Sequence, residues 1–301
     1  MLDKRGSFRE EKQPKIIVSR FGEVKGREID HVIKVMRECY GRLMPHEVAL
    51  VDLYVFERSS LVKAFLAREY NQVGVASAPF DELFFAMHDA WRGTPRIILC
   101  LERMKKLPRL VRLGGVRHEV GHSVLHGSLQ YYLIPLPPVL LELADRFDLS
   151  REYTTNILYL ISIAVKDYEV SRLLYDRGYV NDQVAYARHL LRISESDILS
   201  WKMSRGNPLA TILCLISCLK SASCAATLLD DEKFGKEMRH YLTESLYYIP
   251  AKYRSLLLKM IFEGFPSLGT DTLNNINHMA HKCRSIFQTA LKGHKGYREA
   301  R

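Results

Sequence analysis

The spacing of hydrophobic residues changes along the chain, and each spacing predicts a type of secondary structure. Residues 28–43 and 60–70 carry apolar positions three and four apart, which predicts helices. Three shorter apolar runs have the length and composition of strands. These runs are residues 48–56, 72–78 and 96–102. Residues 80–91 predict either a helix or a long loop.

From residue 154 onward the pattern is helical. Residues 154–175 begin with a stretch that is apolar on all sides, which predicts a buried helix, and charged residues follow within it. Beyond residue 181, further helical patterns are separated by Pro and Gly. Residues 208–229 are apolar enough for a membrane span, but Lys220 and several Ser and Thr residues favour a buried helix.

The chain of 301 residues is basic, with a formal net charge of +10 and a pI near 9.2. Basic residues are spread along it and are densest between residues 103 and 117. A charge cluster of this kind favours a solvated face, and it leaves nucleic acid open as a partner.

The cysteines and the N-terminus indicate where the protein resides. Six cysteines lie scattered, mostly among apolar neighbours, which predicts buried free thiols in a reducing compartment. Cys214 and Cys218 are four apart, but no further Cys/His pair accompanies them at zinc-site spacing, so core packing is predicted. The charged N-terminus lacks the apolar segment of a secretory signal. These features predict a cytoplasmic protein.

One stretch combines three residues suited to metal chemistry, His118, Glu119 and His122. Four positions advance a helix by about one turn, so the two histidines share a face and can bind one Zn²⁺. Glu119 can reach a water on that metal as a general base without being a ligand. Apolar neighbours, Pro108 and Gly127 predict a buried helix around this H-E-x-x-H signature of zinc hydrolases. The alternative to a metal site is that His118 and His122 are core histidines that merely lie four residues apart.

The motif and the strand pattern before it resemble the zincin metalloprotease superfamily, particularly its gluzincin branch, over roughly residues 28–175. The resemblance implies a third protein ligand. The metzincin branch would place a His at position 128, where the chain has Ser128. His126 lies about 6 Å beyond His122 along the helix, too far for the same metal, and is predicted to be a rim or structural histidine. In gluzincins the third ligand is a Glu on a following helix.

Three carboxylates are candidates for that ligand, Glu142, Asp167 and Glu169. The sequence separation between His122 and Glu142 resembles that of thermolysin-type enzymes, but the residues around Glu142 predict an ordinary amphipathic helix. Glu169 projects from the apolar helix, where a carboxylate needs a partner such as a cation. Glu169 is therefore the predicted ligand, and Asp167 the alternative ligand or the support of a ligand histidine. Ion pairing with Lys166 and Arg172 would explain both carboxylates without a metal.

Together these patterns predict an α+β fold. A small mixed sheet would pack on the zinc-site helix in a zincin-like manner, followed by an all-helical C-terminal region. The predicted parts are a charged N-terminal arm with the first strand (1–27), a zincin-like catalytic domain (28–180), a helical region (181–290) and a basic tail (291–301).

The predicted function is a zinc-dependent peptidase acting on peptide or protein substrates. Its Zn²⁺ would be bound by His118, His122 and Glu169, with Glu119 as the base. Electrophilic help at the scissile carbonyl would come from Arg172 or from a tyrosine such as Tyr175 or Tyr179.

Two alternatives keep the motif. One is a zincin acting at nucleic acid, as Spartan-type proteases do on proteins attached to DNA. The other is a non-catalytic zinc-binding interaction protein. Salt-dependent DNA binding would favour the first, and a fully coordinated zinc the second.

Overall fold

The computed structural model describes residues 13–72 and 84–292, and its fold is α+β as predicted. A small mixed sheet lies in the N-terminal half, and the C-terminal region is helical. Contacts divide the chain into two compact units. The first is Met1–Leu133 with Arg177–Asp182, and the second is Ile134–Asp176 with Gln183–Arg301.

The sheet of the first unit has the strand order β1-β2-β4-β3. Its strands are β1, Lys15–Phe21; β2, Leu50–Phe56; β3, Ala86–Asp89; and β4, Arg96–Cys100. Strands β1, β2 and β4 are parallel, and β3 pairs antiparallel with β4, so β3 is an edge strand. Every residue of β4 is buried, as expected for a strand with both faces covered.

Four helices of the first unit agree with the hydrophobic spacing or extend it. They are α1, Gly26–Arg42; α2, Ser59–Gln72; α3, Leu101–Met104; and α4, Arg109–His126. The predicted helices 28–43 and 60–70 are confirmed. The strand predicted over 96–102 is shorter, because α3 begins directly after β4.

The prediction of a helix or long loop over residues 80–91 is wrong where the structure describes it. Ala86–Asp89 is a strand, held to β4 through pairs such as Met87 with Ile98. A four-residue strand has too few positions to show a period, and its pairing partner defines it instead. The strand predicted over 72–78 lies outside the described residues, except that Gln72 ends α2.

A buried ion-pair cluster connects α2, β3 and β4. The Arg96 guanidinium donates to both carboxylate oxygens of Glu69, at 2.9 and 2.8 Å, and to Asp89 at 2.7 Å. Burial raises the pKa of Asp89, although Arg96 opposes that rise. Arg92, which is half exposed, adds a second cation to Glu69.

The remaining helices follow in chain order. They are α5, Pro138–Phe147; α6, Arg151–Asp176; α7, Val180–Leu190; α8, Glu195–Ser204; α9, Pro208–Ala226; α10, Gly235–Ser245; α11, Ala251–Lys259; and α12, Thr272–Leu291. In the second unit, α6 packs against α9 and α12. This packing buries the apolar start of α6, as its composition predicts.

Helix α9 covers most of the apolar run 208–229. Among the described helices, it alone has the length and apolarity that could cross a membrane. Just over half of its apolar window is buried within the protein, which is also the behaviour of a core helix.

Candidate metal centre

The two motif histidines meet on one face of α4, as their spacing predicts. The Nε2 atoms of His118 and His122 are 3.1 Å apart, and their rings stand edge to face with centroids 4.7 Å apart. Two nitrogens bound at about 2.0–2.1 Å to a tetrahedral Zn²⁺ are separated by about 3.3–3.4 Å. The pair therefore has the spacing of two nitrogen ligands on one zinc ion.

Helix α4 is fixed at both ends of the motif. It begins after Pro108 and ends at Gly127, as predicted. A Cβ at position 127 would lie 2.2 Å from the Ser123 carbonyl oxygen, so only glycine fits without rearrangement. The motif's position on the helix is thus set by local sequence.

A buried hydrogen bond holds α4 against α1 beside the motif. The hydroxyls of Tyr40 and Ser123 are 2.6 Å apart, and Ser123 donates its proton to the Val120 carbonyl oxygen. Tyr40 is therefore the donor, and burial raises the pKa of its phenol, which keeps it protonated.

Arg117 anchors the other side of α4. Its guanidinium contacts Asp182 and Glu38 and lies over the Tyr179 ring. Because Arg117 precedes His118 directly, these contacts restrict rotation of the motif about the helix axis.

Glu119 is buried at 4% exposure, one position after His118. A buried carboxylate next in sequence to a candidate zinc ligand is suited to accept a proton in a water-poor site. Its position is the one that the motif predicts for the base.

His126 is buried at 1% exposure, so it is not a rim residue. Its Nδ1 lies 3.3 Å from Nδ1 of His122, and its ring meets the Tyr131 ring edge to face. The other option that was predicted, a structural histidine, agrees with this buried position.

A further histidine, His88, lies against this face of α4, and no sequence pattern predicted it. The His88 ring on β3 is parallel to the His122 ring, with centroids 5.8 Å apart, and Nδ1 of His88 is 3.3 Å from the Tyr132 hydroxyl. The prediction of a helix or loop over 80–91 concealed it.

The predicted ligand Glu169 is buried in α6, where α12 supplies hydrogen bonds to both its carboxylate oxygens. Asn275 donates to Oε1 at 2.6 Å and Thr272 donates to Oε2 at 2.8 Å. Glu169 therefore does not require a cation, because neutral donors also stabilise a buried charge.

Asp167, the predicted alternative ligand, is buried in α6 at 8% exposure. The six cysteines are thiols that form no disulfide, and four of them, Cys39, Cys100, Cys224 and Cys283, are buried.

The other predicted candidates are engaged elsewhere. Glu142 is half exposed on α5 and pairs with Arg284. Arg172 donates to the carbonyl oxygens of Leu268 and Gly269, Tyr175 donates to Asp231, and Tyr179 donates to Glu38. In these contacts the four side chains bind residues outside the motif, and Tyr179 also packs under Arg117 next to it.

Neither a protein-family model, nor a curated protein, nor a solved structure matches the chain significantly.

Proposed function

We propose that this protein is a zinc-dependent peptidase. The observation that carries the proposal is the 3.1 Å separation of the His118 and His122 Nε2 atoms, together with the burial of Glu119 at the next position after His118. Two imidazoles and an adjacent carboxylate on one helix are the residue set that hydrolytic zinc sites use.

His118 and His122 would hold Zn²⁺ through Nε2. A bound Zn²⁺ would polarise the scissile carbonyl and lower the pKa of a water molecule. Glu119 would accept the proton of the attacking water and pass it to the leaving amine. Burial of His118 and Glu119 would strengthen these interactions, since charges attract more strongly where water is excluded.

The third ligand in this proposal is a carboxylate of α6. Asp167 is a buried carboxylate of that helix and is the first candidate. Glu169 remains the alternative, although Asn275 and Thr272 already donate to its two oxygens.

Hydrolysis of a peptide library tests the proposed activity. We expect the wild type with added zinc to cleave peptides and Glu119→Gln to lose at least about 100-fold in rate, because an amide cannot accept the proton. Glu142→Gln, which alters an exposed carboxylate of the same type, should cleave like the wild type. Cleavage retained in Glu119→Gln would reject Glu119 as the base.

A further inference from the structure

His122 has a histidine beside each of its ring nitrogens. Nε2 lies 3.1 Å from Nε2 of His118, and Nδ1 lies 3.3 Å from Nδ1 of His126. The first contact belongs to the zinc-dependent site proposed above, on which this inference rests. The second contact lies on the opposite side of the same ring.

Metal binding determines where the proton of His122 must be. An imidazole that binds a metal through Nε2 uses that lone pair and carries its proton on Nδ1. The Nδ1–H group then needs an acceptor, because His122 lies in a half-buried site where a lost hydrogen bond is costly. His126 supplies a nitrogen at hydrogen-bond distance.

We propose that His126 is a positioning residue for the metal centre. It accepts a hydrogen bond from Nδ1–H of His122 through its own Nδ1 and carries its proton on Nε2. The bond fixes the tautomer and the ring orientation of His122, so that Nε2 faces the metal beside Nε2 of His118.

The surroundings of His126 hold it in this role. Its side chain is 1% exposed, and its ring packs edge to face on Tyr131 with centroids 5.1 Å apart. A buried ring in contact with an aromatic neighbour has few alternative orientations. Direct ligation to the same metal is excluded, since Nδ1 of His126 faces the nitrogen of His122 that points away from His118.

The role predicts an effect on metal affinity. Groups that orient a ligand histidine typically change metal affinity by about 10- to 100-fold when they are removed. A histidine that merely fills space would leave affinity unchanged if the fold were kept.

A matched pair of variants tests the proposal, His126→Asn and His126→Leu. The two side chains have nearly the same shape, but only Asn places an acceptor oxygen where His126 has Nδ1. We would measure zinc affinity by competition with a chromophoric chelator, the visible spectrum of the cobalt-substituted protein, and thermal unfolding of the metal-free forms.

We expect His126→Leu to bind zinc about 10- to 100-fold more weakly than the wild type, with an altered cobalt spectrum. His126→Asn should recover most of the affinity and the spectrum. His31→Phe, at an exposed histidine of α1, should equal the wild type. If His126→Leu does not fold, His126→Phe replaces it as the variant without an acceptor.

Equal zinc affinity in the wild type and the acceptor-free variant would overturn the proposal, and so would an Asn variant no better than Leu. Either result leaves the peptidase proposal standing. A wild type that binds no zinc would instead overturn the proposed function, and the role of His126 with it.

Discussion

At the scale of single residues, the choice of the third ligand depends on which groups contact each candidate carboxylate. Glu169 receives hydrogen bonds from α12, and the exposed Glu142 pairs with the half-buried Arg284. Asp167 is buried in α6. Three carboxylates that the sequence left as alternatives thus have three different environments.

These environments predict different losses on substitution. We expect Asp167→Asn to weaken zinc binding more than Glu169→Gln does, and Glu142→Gln to leave it unchanged. Glu169→Gln should instead lower the free energy of unfolding by about 1–3 kcal/mol, because the amide cannot satisfy both donors. Chelator competition and urea unfolding of the three variants would separate the two effects. The largest zinc loss in Glu169→Gln would restore Glu169 as the ligand.

Cys283 allows a prediction about pH. Burial raises the pKa of its thiol to about 12, so the reactive thiolate is nearly absent from the folded protein at neutral pH. Alkylation by iodoacetamide at pH 8 should therefore leave Cys283 unmodified in the native protein and modify it fully in urea. Raising the pH should increase the native rate up to about pH 12 while the fold persists. Peptide mapping by mass spectrometry gives both rates, and rapid native labelling at pH 8 would contradict the burial.

At the scale of elements, the Arg96 cluster holds α2, β3 and β4 together. Arg96→Met would leave the buried carboxylates of Glu69 and Asp89 without this cation, which should lower the free energy of unfolding by about 3–5 kcal/mol. Arg92→Ala removes a half-exposed partner of Glu69 and should cost no more than about 1 kcal/mol. Denaturant titrations measure both, and equal losses would show that the cluster does not stabilise the sheet.

Local signals explain which elements could be predicted. Helix α4 carries its apolar pattern, its boundary residues and its metal motif within one continuous stretch, so its extent and its paired histidines were predictable. The edge strand β3 is defined by pairing with β4, and His88 was missed with it. The donors to Glu169 lie 103 and 106 residues further along the chain, and no local pattern indicates such contacts.

At the scale of the whole molecule, the net charge of +10 keeps nucleic acid open as a partner. Part of the basic cluster is already engaged: Lys105 pairs with Glu28, and Arg117 pairs with Glu38 and Asp182. These pairs reduce the charge available to a phosphate backbone. The alternative of a protease acting at DNA therefore depends on the basic side chains that remain exposed.

We expect only weak, salt-sensitive DNA binding, with a dissociation constant of about 10⁻⁴–10⁻⁶ M at physiological salt. Fluorescence anisotropy with a labelled duplex over a salt series measures it. The variant Lys106→Glu/Arg109→Glu, at exposed positions of the cluster, should weaken the binding further. Binding much tighter than this at physiological salt would favour the nucleic-acid alternative.

The central claim is that His118 and His122 hold a zinc ion. Elemental analysis of the purified full chain tests it most directly, with the His118→Ala/His122→Ala variant measured beside the wild type. The account predicts about one zinc per wild-type chain and almost none in the variant, because removing both imidazoles removes the paired nitrogens of the site. Equal zinc contents in the two proteins, or no zinc in either after zinc supplementation, would contradict it.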